Sequence, residues 1–455
     1  MGRLFGTDGV RGIANADLNC ELALGIGRSV AAVLTNQSRR RPLVVVGTDP
    51  RASSEMLSAA LTAGLCSVGA DVITLGVLPT PAVAFLVGKY KADAGVMISA
   101  SHNPAEYNGI KIFSGDGFKL PDALEEKIED LILKGTAEQN FTFPTGTNVG
   151  RVQFDPNGAK DYIDHRKSTA AYSLDGQRIA IDCANGSASV TAGKLFRELG
   201  AECFLLHDQP DGENINQNCG STHMESLAEF VREHHLDAGI AFDGDADRCL
   251  CVDETGEIVD GDQIMAICAA DMLERGKLHK NTVVGTVMTN FGFTKFCERE
   301  HLQFIATKVG DRFVLEEMLL EEYSLGGEQS GHIIFRDFAT TGDGQLTAVQ
   351  LLSLMNRKQA KLSDLARIMT RSPQKILNLT VTPEGKLLFY TDSEIKAAIE
   401  SARIALGKEG RIVVRPSGTE PLIRVMTEGN DPSLIESQAE AVAQVIRRRL
   451  CKEST

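Results

Sequence analysis

One pattern occurs three times along this chain and limits the folds open to it. An apolar strand is followed by a polar loop, an amphipathic helix and a second strand, over residues 42–76, 177–207 and 282–310. Each copy begins with a β-branched run typical of a strand covered on both faces, and then breaks at Gly, Asn, Asp or Ser. Units of this kind, about 30 residues long, are βαβ units. Three widely spaced copies predict three related α/β domains, although a single α/β sheet also repeats the unit.

The C-terminal part of the chain has a different order of elements, which predicts a smaller α+β domain. A strand at ILNLTVTP precedes a helix with Thr391 or Asp392 as its N-cap and Gly407 at its end. Two strands around a tight loop and a closing amphipathic helix follow.

The length and the boundary signals together predict four domains. At roughly 150 residues per domain, 455 residues alone predict about three, and the distinct C-terminal part adds one. The polar, glycine-containing stretch 134–150 and, less strongly, 253–263 indicate boundaries. We expect α/β domains with mixed sheets at 1–150, 151–255 and 256–370, and the α+β domain at 371–455.

Charge and aromatic content exclude several classes of partner. The chain has 47 Lys and Arg against 61 Asp and Glu, and this net charge of −14 repels nucleic acid and anionic membranes. It contains no Trp, so a sugar site built on stacked indoles is excluded and hydrogen bonds and charge would have to hold any sugar. We therefore expect no nucleic-acid partner and no membrane partner.

No segment has the pattern of a targeting signal or a membrane span. The N-terminal residues lack an apolar h-region, and no run of about 18 apolar residues occurs. The ten cysteines include no CxxC pair, and alternation in a strand would point the closest two, Cys249 and Cys251, into a core. Reduced, structural thiols and a cytoplasmic location are expected.

Small polar residues follow the buried strand AGVMI, where Ser99, Ser101, His102 and Asn103 precede a proline that ends the strand. The carboxyl end of a buried strand is where α/β proteins place their sites. A serine hydrolase using Ser101 and His102 is a weak interpretation, because no GxSxG elbow is present. A phosphoryl-carrying hydroxyl and an ordinary polar turn remain equally open on this loop alone.

Three carboxylates are crowded into the loop AFDGDADR, at Asp243, Asp245 and Asp247. Without a cation they would repel one another, and hard oxygen ligands suit Mg²⁺ or Ca²⁺. An EF-hand is rejected because Arg248 stands where that loop requires glycine. A solvated acidic turn is disfavoured by the apolar runs on both sides.

Two further loops carry groups for sugar and phosphate. In LGGEQSGHIIF, Glu328, Ser330 and His332 alternate, so an extended loop would point all three the same way, although a simple hairpin with a satisfied histidine is slightly favoured. In VVRPSGTEPLIRV, two arginines bracket a turn with hydroxyls and free N–H groups, which favours an anion site over a plain turn. The members of this anion loop are Arg415, Ser417, Gly418, Thr419 and Arg424. No Walker A pattern or dinucleotide fingerprint supports ATP or NAD.

Together the four loops supply a hydroxyl nucleophile, a hard-metal site, polar groups for sugar hydroxyls and a phosphate site. They come from four separate parts of the chain, one per expected domain. A central cleft shared by the four domains would unite them, and the chemistry implied is phosphoryl transfer on a sugar phosphate.

The chain resembles the α-D-phosphohexomutase superfamily over essentially its whole length. The resemblance is carried by SASHNP, DGDADR, GEQSGH and RPSGTEPLIR in that order, with FGTDGVRG near the start. It implies that Ser101 carries a phosphoryl group as phosphoserine, that the three aspartates hold Mg²⁺ together with it, and that Arg248 assists. It also implies a sugar 1,6-bisphosphate as intermediate and activator.

The resemblance assigns further residues to the cleft. Glu328 and Ser330 would contact sugar hydroxyls. His102, Lys111 and His332 are candidates for the general acid and base, and their spacing does not choose among them. The phosphate would be held by Arg415, Ser417, Gly418 and Thr419, with Arg424 in support, and Thr7 and Arg11 would lie near the cleft.

Details within these motifs resemble the glucosamine branch of the superfamily. Gln329 stands where the mannose and glucose branches usually carry Met, and VGDRFV and NINQNCGSTH also match. The implied activity interconverts glucosamine 6-phosphate and glucosamine 1-phosphate for amino-sugar nucleotide synthesis. Alternatives are a phosphomannomutase or phosphoglucomutase, a catalytically silent sugar-phosphate binder, and a hydrolase that releases phosphate to water. A homodimer is left open.

Overall fold

Within the residues that it describes, the computed structural model of the chain contains four sheets, of six, five, four and three strands. It describes residues 4–6, 8–35, 41–134, 143–417 and 421–451. Thr7, Gly418 and Thr419, expected in the cleft, lie outside the described residues. The expected fold class is confirmed: three mixed α/β sheets are followed by a smaller antiparallel C-terminal sheet covered by helices.

The first sheet has the order β1-β5-β4-β2-β3-β6. Strands β4, β2, β3 and β6 run parallel, whereas β5 returns antiparallel beside β4 and pairs with β1. The elements are β1 (Val10–Ile13), α1 (Cys20–Thr35), β2 (Leu43–Thr48), α2 (Ala52–Ser67), β3 (Asp71–Val77), α3 (Thr80–Tyr90), β4 (Ala94–Ile98), β5 (Tyr107–Ser114), α4 (Asp122–Lys134) and β6 (Val152–Phe154).

The second sheet repeats this plan, with β8, β7 and β9 parallel and β10 and β11 antiparallel at the other edge. Its first unit, β7–α6–β8, is the second of the three predicted repeats. The elements are α5 (Gly158–Ser168), β7 (Arg178–Asp182), α6 (Ala192–Glu198), β8 (Glu202–Leu206), α7 (Glu225–Glu233), β9 (Ala238–Phe242), β10 (Cys249–Asp253) and β11 (Ile258–Val259).

The third sheet has β13, β12 and β14 parallel, and β15 antiparallel to β14. The unit β12–α9–β13 is the third predicted repeat. The elements are α8 (Gly261–Glu274), β12 (Thr282–Thr286), α9 (Phe291–Arg299), β13 (Gln303–Thr307), α10 (Asp311–Glu321), β14 (Leu325–Gly327), β15 (Ile333–Phe335), α11 (Gly344–Lys358) and α12 (Leu362–Ala366).

The C-terminal sheet is antiparallel, with β18 between β16 and β17. The predicted helix ends are confirmed: Asp392 caps α14 through the Ile395 N–H, and Gly407 ends it with φ +60°. The elements are β16 (Gln374–Thr380), α13 (Pro383–Leu388), α14 (Ser393–Leu406), β17 (Gly410–Pro416), β18 (Leu422–Gly429) and α15 (Pro432–Leu450).

Two sheets extend slightly past the expected domain boundaries. Strand β6, at 152–154, pairs with β3 and so belongs to the first sheet rather than beginning the second domain. Strand β11, at 258–259, pairs with β10 and so belongs to the second sheet. Both are short edge strands whose place is decided by a distant partner strand.

The second and third domains share one apolar core, and the C-terminal domain has a separate one. One buried cluster runs through the second and third domains, from Ile181 and Phe242 to Val283 and Leu352. The C-terminal domain has its own core. As predicted, Cys249 and Cys251 are buried, with their Sγ atoms 3.9 Å apart, and all ten cysteines are free. Among the described residues no helix has the length and apolarity needed to cross a bilayer.

Candidate active site

Ser101 lies just past the buried strand β4, in a turn that carries it across to the second domain. Its backbone is left-handed, with φ +54°, and its side chain is buried. The hydroxyl donates to Asp243 Oδ2 at 2.7 Å. His102 Nδ1 lies 3.4 Å from the same hydroxyl but accepts from Arg248 Nη1 at 2.8 Å. Because that nitrogen is occupied, a hydrolase dyad of Ser101 and His102 is disfavoured.

A buried polar network fixes carbonyls within residues 101–104, the serine loop. The Arg51 guanidinium is fully buried, pairs with Asp49 at 2.9 Å, and donates to the carbonyls of Ser101 at 3.0 Å and Asn103 at 2.8 Å. It also donates to the Pro104 carbonyl. Because the Arg51 guanidinium donates to all three carbonyls, it holds the left-handed backbone at Ser101 in place.

A side chain from the second domain holds the same loop from the other side. Asn216 Nδ2 donates to the Ser101 carbonyl at 2.9 Å and to the Asn103 carbonyl at 3.1 Å. The position of Ser101 therefore depends on contacts from two domains.

Asp243, Asp245 and Asp247 follow the buried strand β9 and converge on one point. All three are buried, and one carboxylate oxygen of each lies within 4.8 Å of the others. Burial raises the pKa of Asp243 well above its ordinary value, and the charges of Asp247 and Asp245 raise it further. Crowding that disfavours ionisation is the electrostatic condition that a bound cation relieves.

Unpartnered oxygens show that this cluster can accept a metal ion. Asp245 Oδ1 and Asp247 Oδ1 are buried and have no hydrogen-bond partner in the described structure. Buried acceptors without donors are rare, because leaving them unsatisfied is costly. Oxygen-only donors of this kind fit a hard divalent cation.

Lys111 supplies part of the positive charge beside the three aspartates. Its ammonium lies 2.8 Å from Asp245, 3.2 Å from Asp247 and 3.1 Å from Asp8. Burial alone would lower the pKa of Lys111, but Asp245, Asp8 and Asp247 together raise it well above its ordinary value. Lys111 is therefore a permanent cation in this structure.

The two histidines have different surroundings. Burial lowers the pKa of His102 to about 4, and the neighbouring Arg248 and Arg11 contribute, so this ring is neutral near pH 7. His332 is buried on β-hairpin β14–β15, and neither of its ring nitrogens has a hydrogen-bond partner in the described part of the chain. Its Nε2 lies 3.5 Å from Asp311 Oδ2.

The candidate sugar loop, residues 325–335, is a hairpin with a tight turn, which is the slightly favoured interpretation, and not the extended segment that alternation alone would predict. The Gly331 N–H bonds to the Glu328 carbonyl, and the Glu328 N–H bonds to the His332 carbonyl, both at 3.0 Å. Glu328 Oε1 accepts from the Gly310 N–H at 3.0 Å. Ser330 is exposed at the tip of this turn, whereas Glu328 is half-buried and His332 is buried, so the three side chains have different surroundings.

Two arginines stand opposite each other in the C-terminal sheet. Arg415 on β17 is in register with Arg424 on β18. Arg424 bonds to Asn378, while the Arg415 Nε is buried and has no hydrogen-bond partner among the described residues. Burial lowers the pKa of Arg415, and the charge of Arg424 lowers it further. Two like charges side by side are an arrangement that a bound anion would stabilise.

Many of these residues line a cavity of about 460 Å³. It brings Arg11, His102, Arg248, Glu328 and His332 together from the first three domains. Asp8, Asp247 and Asp311 also line it. Ser330, Arg415 and Arg424 are not among its lining residues.

Three charged residues of this region were missed by sequence reasoning. Lys119 pairs with both Asp8 and Asp311, and thereby joins the first domain to the third. Asp8 and Asp311 stand in the stretches FGTDGVRG and VGDRFV, which the resemblance marked without choosing a residue. Nothing in the sequence around Lys119 distinguishes it from a surface lysine.

Known families and proteins match the chain along its whole length. Four descriptions of phosphoglucomutase/phosphomannomutase domains match in order: alpha/beta/alpha domains I, II and III at 2–139, 160–256 and 260–372, and the C-terminal domain at 377–445. The phosphoglucosamine mutase of Thermoanaerobacter sp. (strain X514) is 54% identical over 450 residues, covering 99% of this chain and 100% of that protein. The chain belongs to the phosphoglucosamine mutases of the phosphohexomutase superfamily. As a phosphohexomutase it is an isomerase that transfers a phosphoryl group.

Other members give the same result. The phosphoglucosamine mutase of Clostridium acetobutylicum is 51% identical over 452 residues, which cover 99% of this chain and 100% of that protein. The phosphohexomutase fold recurs in a Burkholderia thailandensis phosphoglucomutase/phosphomannomutase family protein, with TM-score 0.83 and 23% identity over 99% of this chain and 98% of that one. It recurs in an Aspergillus fumigatus N-acetylphosphoglucosamine mutase in complex with GlcNAc-6P and magnesium, with TM-score 0.71 and 17% identity over 98% and 96%. The family implies a metal ion, and the aspartate cluster is a group that could bind one.

Proposed function

We propose that this chain interconverts glucosamine 6-phosphate and glucosamine 1-phosphate through a phosphoserine at Ser101 and a 1,6-bisphosphate intermediate. The observation that supports it most is the 2.7 Å hydrogen bond from the Ser101 hydroxyl to Asp243, inside a cluster of three carboxylates. The full-length relatives named phosphoglucosamine mutase support the choice of sugar. The product would feed amino-sugar nucleotide synthesis.

The residues of the cleft have different roles in the proposed phosphoryl transfer. Phosphorylated Ser101 gives its phosphoryl group to one hydroxyl of the sugar phosphate, and after the bisphosphate turns over it accepts the other group. Asp243, Asp245 and Asp247 would hold Mg²⁺, which when bound neutralises negative charge on the transferring group. Arg248, whose Nε lies 4.0 Å from Asp243 Oδ2 and 3.9 Å from Asp247 Oδ1, adds positive charge beside the reacting group.

We assign proton transfer to His332. Lys111 is held as a cation by three carboxylates, and His102 Nδ1 is occupied by Arg248. His332 lines the cavity with both ring nitrogens unpartnered, and Asp311 can orient the ring from 3.5 Å. A general base must reach the proton it removes and have a nitrogen available to accept it.

Arg415 and Arg424 hold the phosphate that is not reacting. Because they recognise a phosphate and not a carbon atom of the sugar, the same pair serves the 1-phosphate and the 6-phosphate. Ser417 stands next to them, with its N–H bonded to the Leu422 carbonyl at 2.8 Å. Glu328 remains our proposed contact for sugar hydroxyls, and exposed Ser330 would reach them from the tip of its turn.

A coupled assay with glucosamine, glucose and mannose phosphates tests the function. We expect the highest kcat/KM for glucosamine phosphate. Higher kcat/KM for glucose or mannose phosphate would replace the proposal by a phosphoglucomutase or phosphomannomutase, and net release of phosphate would indicate a hydrolase. Absence of turnover together with absence of phosphoserine would indicate a silent sugar-phosphate binder. A cytoplasmic location remains a prediction.

Replacing one carboxylate of the cluster should weaken the response to Mg²⁺. In Asp245→Asn we expect the Mg²⁺ concentration for half-maximal activity to rise about tenfold or more, because a charged oxygen ligand is lost. Asp364→Asn, on the exposed surface of α12, is the matched control. Full activity after thorough treatment with a chelator would contradict a metal role.

Removing one arginine of the phosphate site should raise KM in both directions. In Arg415→Met we expect KM for the 1-phosphate and the 6-phosphate to rise about 10- to 100-fold, which corresponds to losing one charged hydrogen bond. Arg403→Met, on the exposed side of α14, should leave both KM values unchanged. An effect on only one of the two substrates would argue that the site recognises a sugar carbon.

A further inference from the structure

A second group of side chains that could hold a metal ion lies in the second domain. Asp182 ends strand β7, His207 follows strand β8, and Cys219 precedes the short 3-10 helix Gly220–Thr222. The ligand atoms of these three side chains lie within 4.8 Å of one another. None of the three has a part in the mechanism proposed above.

The donor set differs in chemistry from the three aspartates. A carboxylate, an imidazole and a thiol are the ligands of Zn²⁺ and of similar borderline-soft divalent ions, whereas Mg²⁺ prefers oxygen alone. We propose that Asp182, His207 and Cys219 form a second metal site, selective for Zn²⁺-class ions over Mg²⁺. On binding, the Cys219 thiol releases its proton to solvent and the sulfur coordinates as thiolate.

The carboxylate of this site is held in position by backbone groups. Asp182 Oδ1 accepts from the Ala184 N–H at 2.8 Å, and Oδ2 accepts from the Gly220 N–H at 2.9 Å. Outer hydrogen bonds of this kind orient a metal-binding carboxylate and leave it lone pairs for an ion. Asp182 is fully buried, so its charge is not dispersed by solvent.

The imidazole of this site faces the carboxylate. His207 Nδ1 is buried 3.0 Å from Asp182 Oδ2, although the two atoms do not have the alignment of a regular hydrogen bond. At this spacing a protonated imidazole pairs with the carboxylate, and a divalent cation bound by both side chains would take the place of that proton. The His207 side chain as a whole is 31% exposed, which leaves a route for an ion and for water as a further ligand.

The position of this site connects it to the serine loop. Cys219 lies three residues after Asn216, whose backbone N–H bonds to the Ala184 carbonyl at 2.9 Å. Asn216 in turn holds the Ser101 carbonyl. A metal joining Asp182 to Cys219 would fix the segment that carries Asn216, so its role is to stabilise the loop and not to take part in phosphoryl transfer.

Co²⁺ absorption tests the site without depending on activity. The full-length protein is titrated with Co²⁺ in the presence of excess Mg²⁺, which occupies the aspartate cluster. We expect one equivalent of Co²⁺ to produce a thiolate-to-cobalt charge-transfer band, and one equivalent of Zn²⁺ to abolish it. A site of oxygen ligands alone cannot produce this band. Its absence in the wild-type protein would therefore show that no thiolate binds the ion, and would overturn the proposal.

Variants identify the ligands. Cys219→Ser should abolish the charge-transfer band, and His207→Gln should weaken Zn²⁺ binding at least about tenfold. Cys203→Ser, a half-buried cysteine on β8 of the same domain, should retain the wild-type band and affinity. Retention of the band in Cys219→Ser would contradict the assignment.

Zn²⁺ should also raise the melting temperature of the wild-type protein. If it does not, the proposed stabilising role is wrong.

Discussion

Ser101→Ala should lower mutase turnover by about four orders of magnitude or more, even with sugar 1,6-bisphosphate supplied. The substitution removes the only atom of this side chain that can carry a phosphoryl group, and losing a nucleophile removes a whole covalent pathway. The Ser101 hydroxyl bonds to Asp243, and no other serine hydroxyl of the described chain contacts an aspartate of the cluster. The measurement is the coupled assay for glucosamine 1-phosphate.

Two controls separate loss of the nucleophile from loss of the fold. Ser67→Ala, at the end of α2, removes a serine hydroxyl bonded to Arg28 and should keep normal turnover. Intact mass should show a phosphoryl group on wild-type protein incubated with bisphosphate, and none on Ser101→Ala. Turnover near that of the wild type in Ser101→Ala would remove this serine from the mechanism.

Arg51→Met should lower the free energy of unfolding by about 3–5 kcal/mol, the range found when one partner of a buried ion pair is removed. The substitution leaves the Asp49 carboxylate buried without its cation, and it leaves the carbonyls of Ser101, Asn103 and Pro104 without their shared donor. We also expect turnover to fall, because the serine loop loses its support. Urea unfolding, followed through the first transition, measures the stability change.

Arg41→Met is the matched control for this prediction. Arg41 also pairs with an aspartate, Asp71, at 3.1 Å, but both side chains are about one-third exposed. A pair so accessible to water contributes about 1 kcal/mol or less. If Arg51→Met and Arg41→Met have equal effects, burial of the Arg51 network is not what stabilises the loop.

The repeated units were predictable because each is local. Strands β2, β7 and β12 with their following helices lie within about 30 residues, and apolar periodicity is a local property. The pairing of the edge strands β6 and β11 was not predictable, because each pairs with a sheet on the far side of an expected boundary and a distant partner strand decides this. The hairpin at Ser330, slightly favoured over an extended loop, is confirmed, and Gly331, at φ +91°, is the residue that closes it.

The same distinction between local and long-range features applies to the candidate site. Ser101 and the three aspartates stand in compact motifs whose chemistry can be read from neighbouring letters. The contacts that position them are long-range: Arg51 reaches the Ser101 carbonyl 50 residues away, and Lys119 reaches Asp311 192 residues away. No pattern in one sequence identifies such pairs, because the fold alone brings them together.

The burial of Ser101 restricts how the phosphoserine that we propose can first form. Its side chain is 1% exposed, and its loop carbonyls are bound to Arg51 and Asn216. A protein kinase needs an extended peptide in its own groove, which this loop cannot provide without local unfolding. A small phosphate donor needs no peptide groove, and it could approach through the cavity that the next residue, His102, lines. We therefore expect a small phosphate donor, and not a protein kinase, to phosphorylate a newly made molecule.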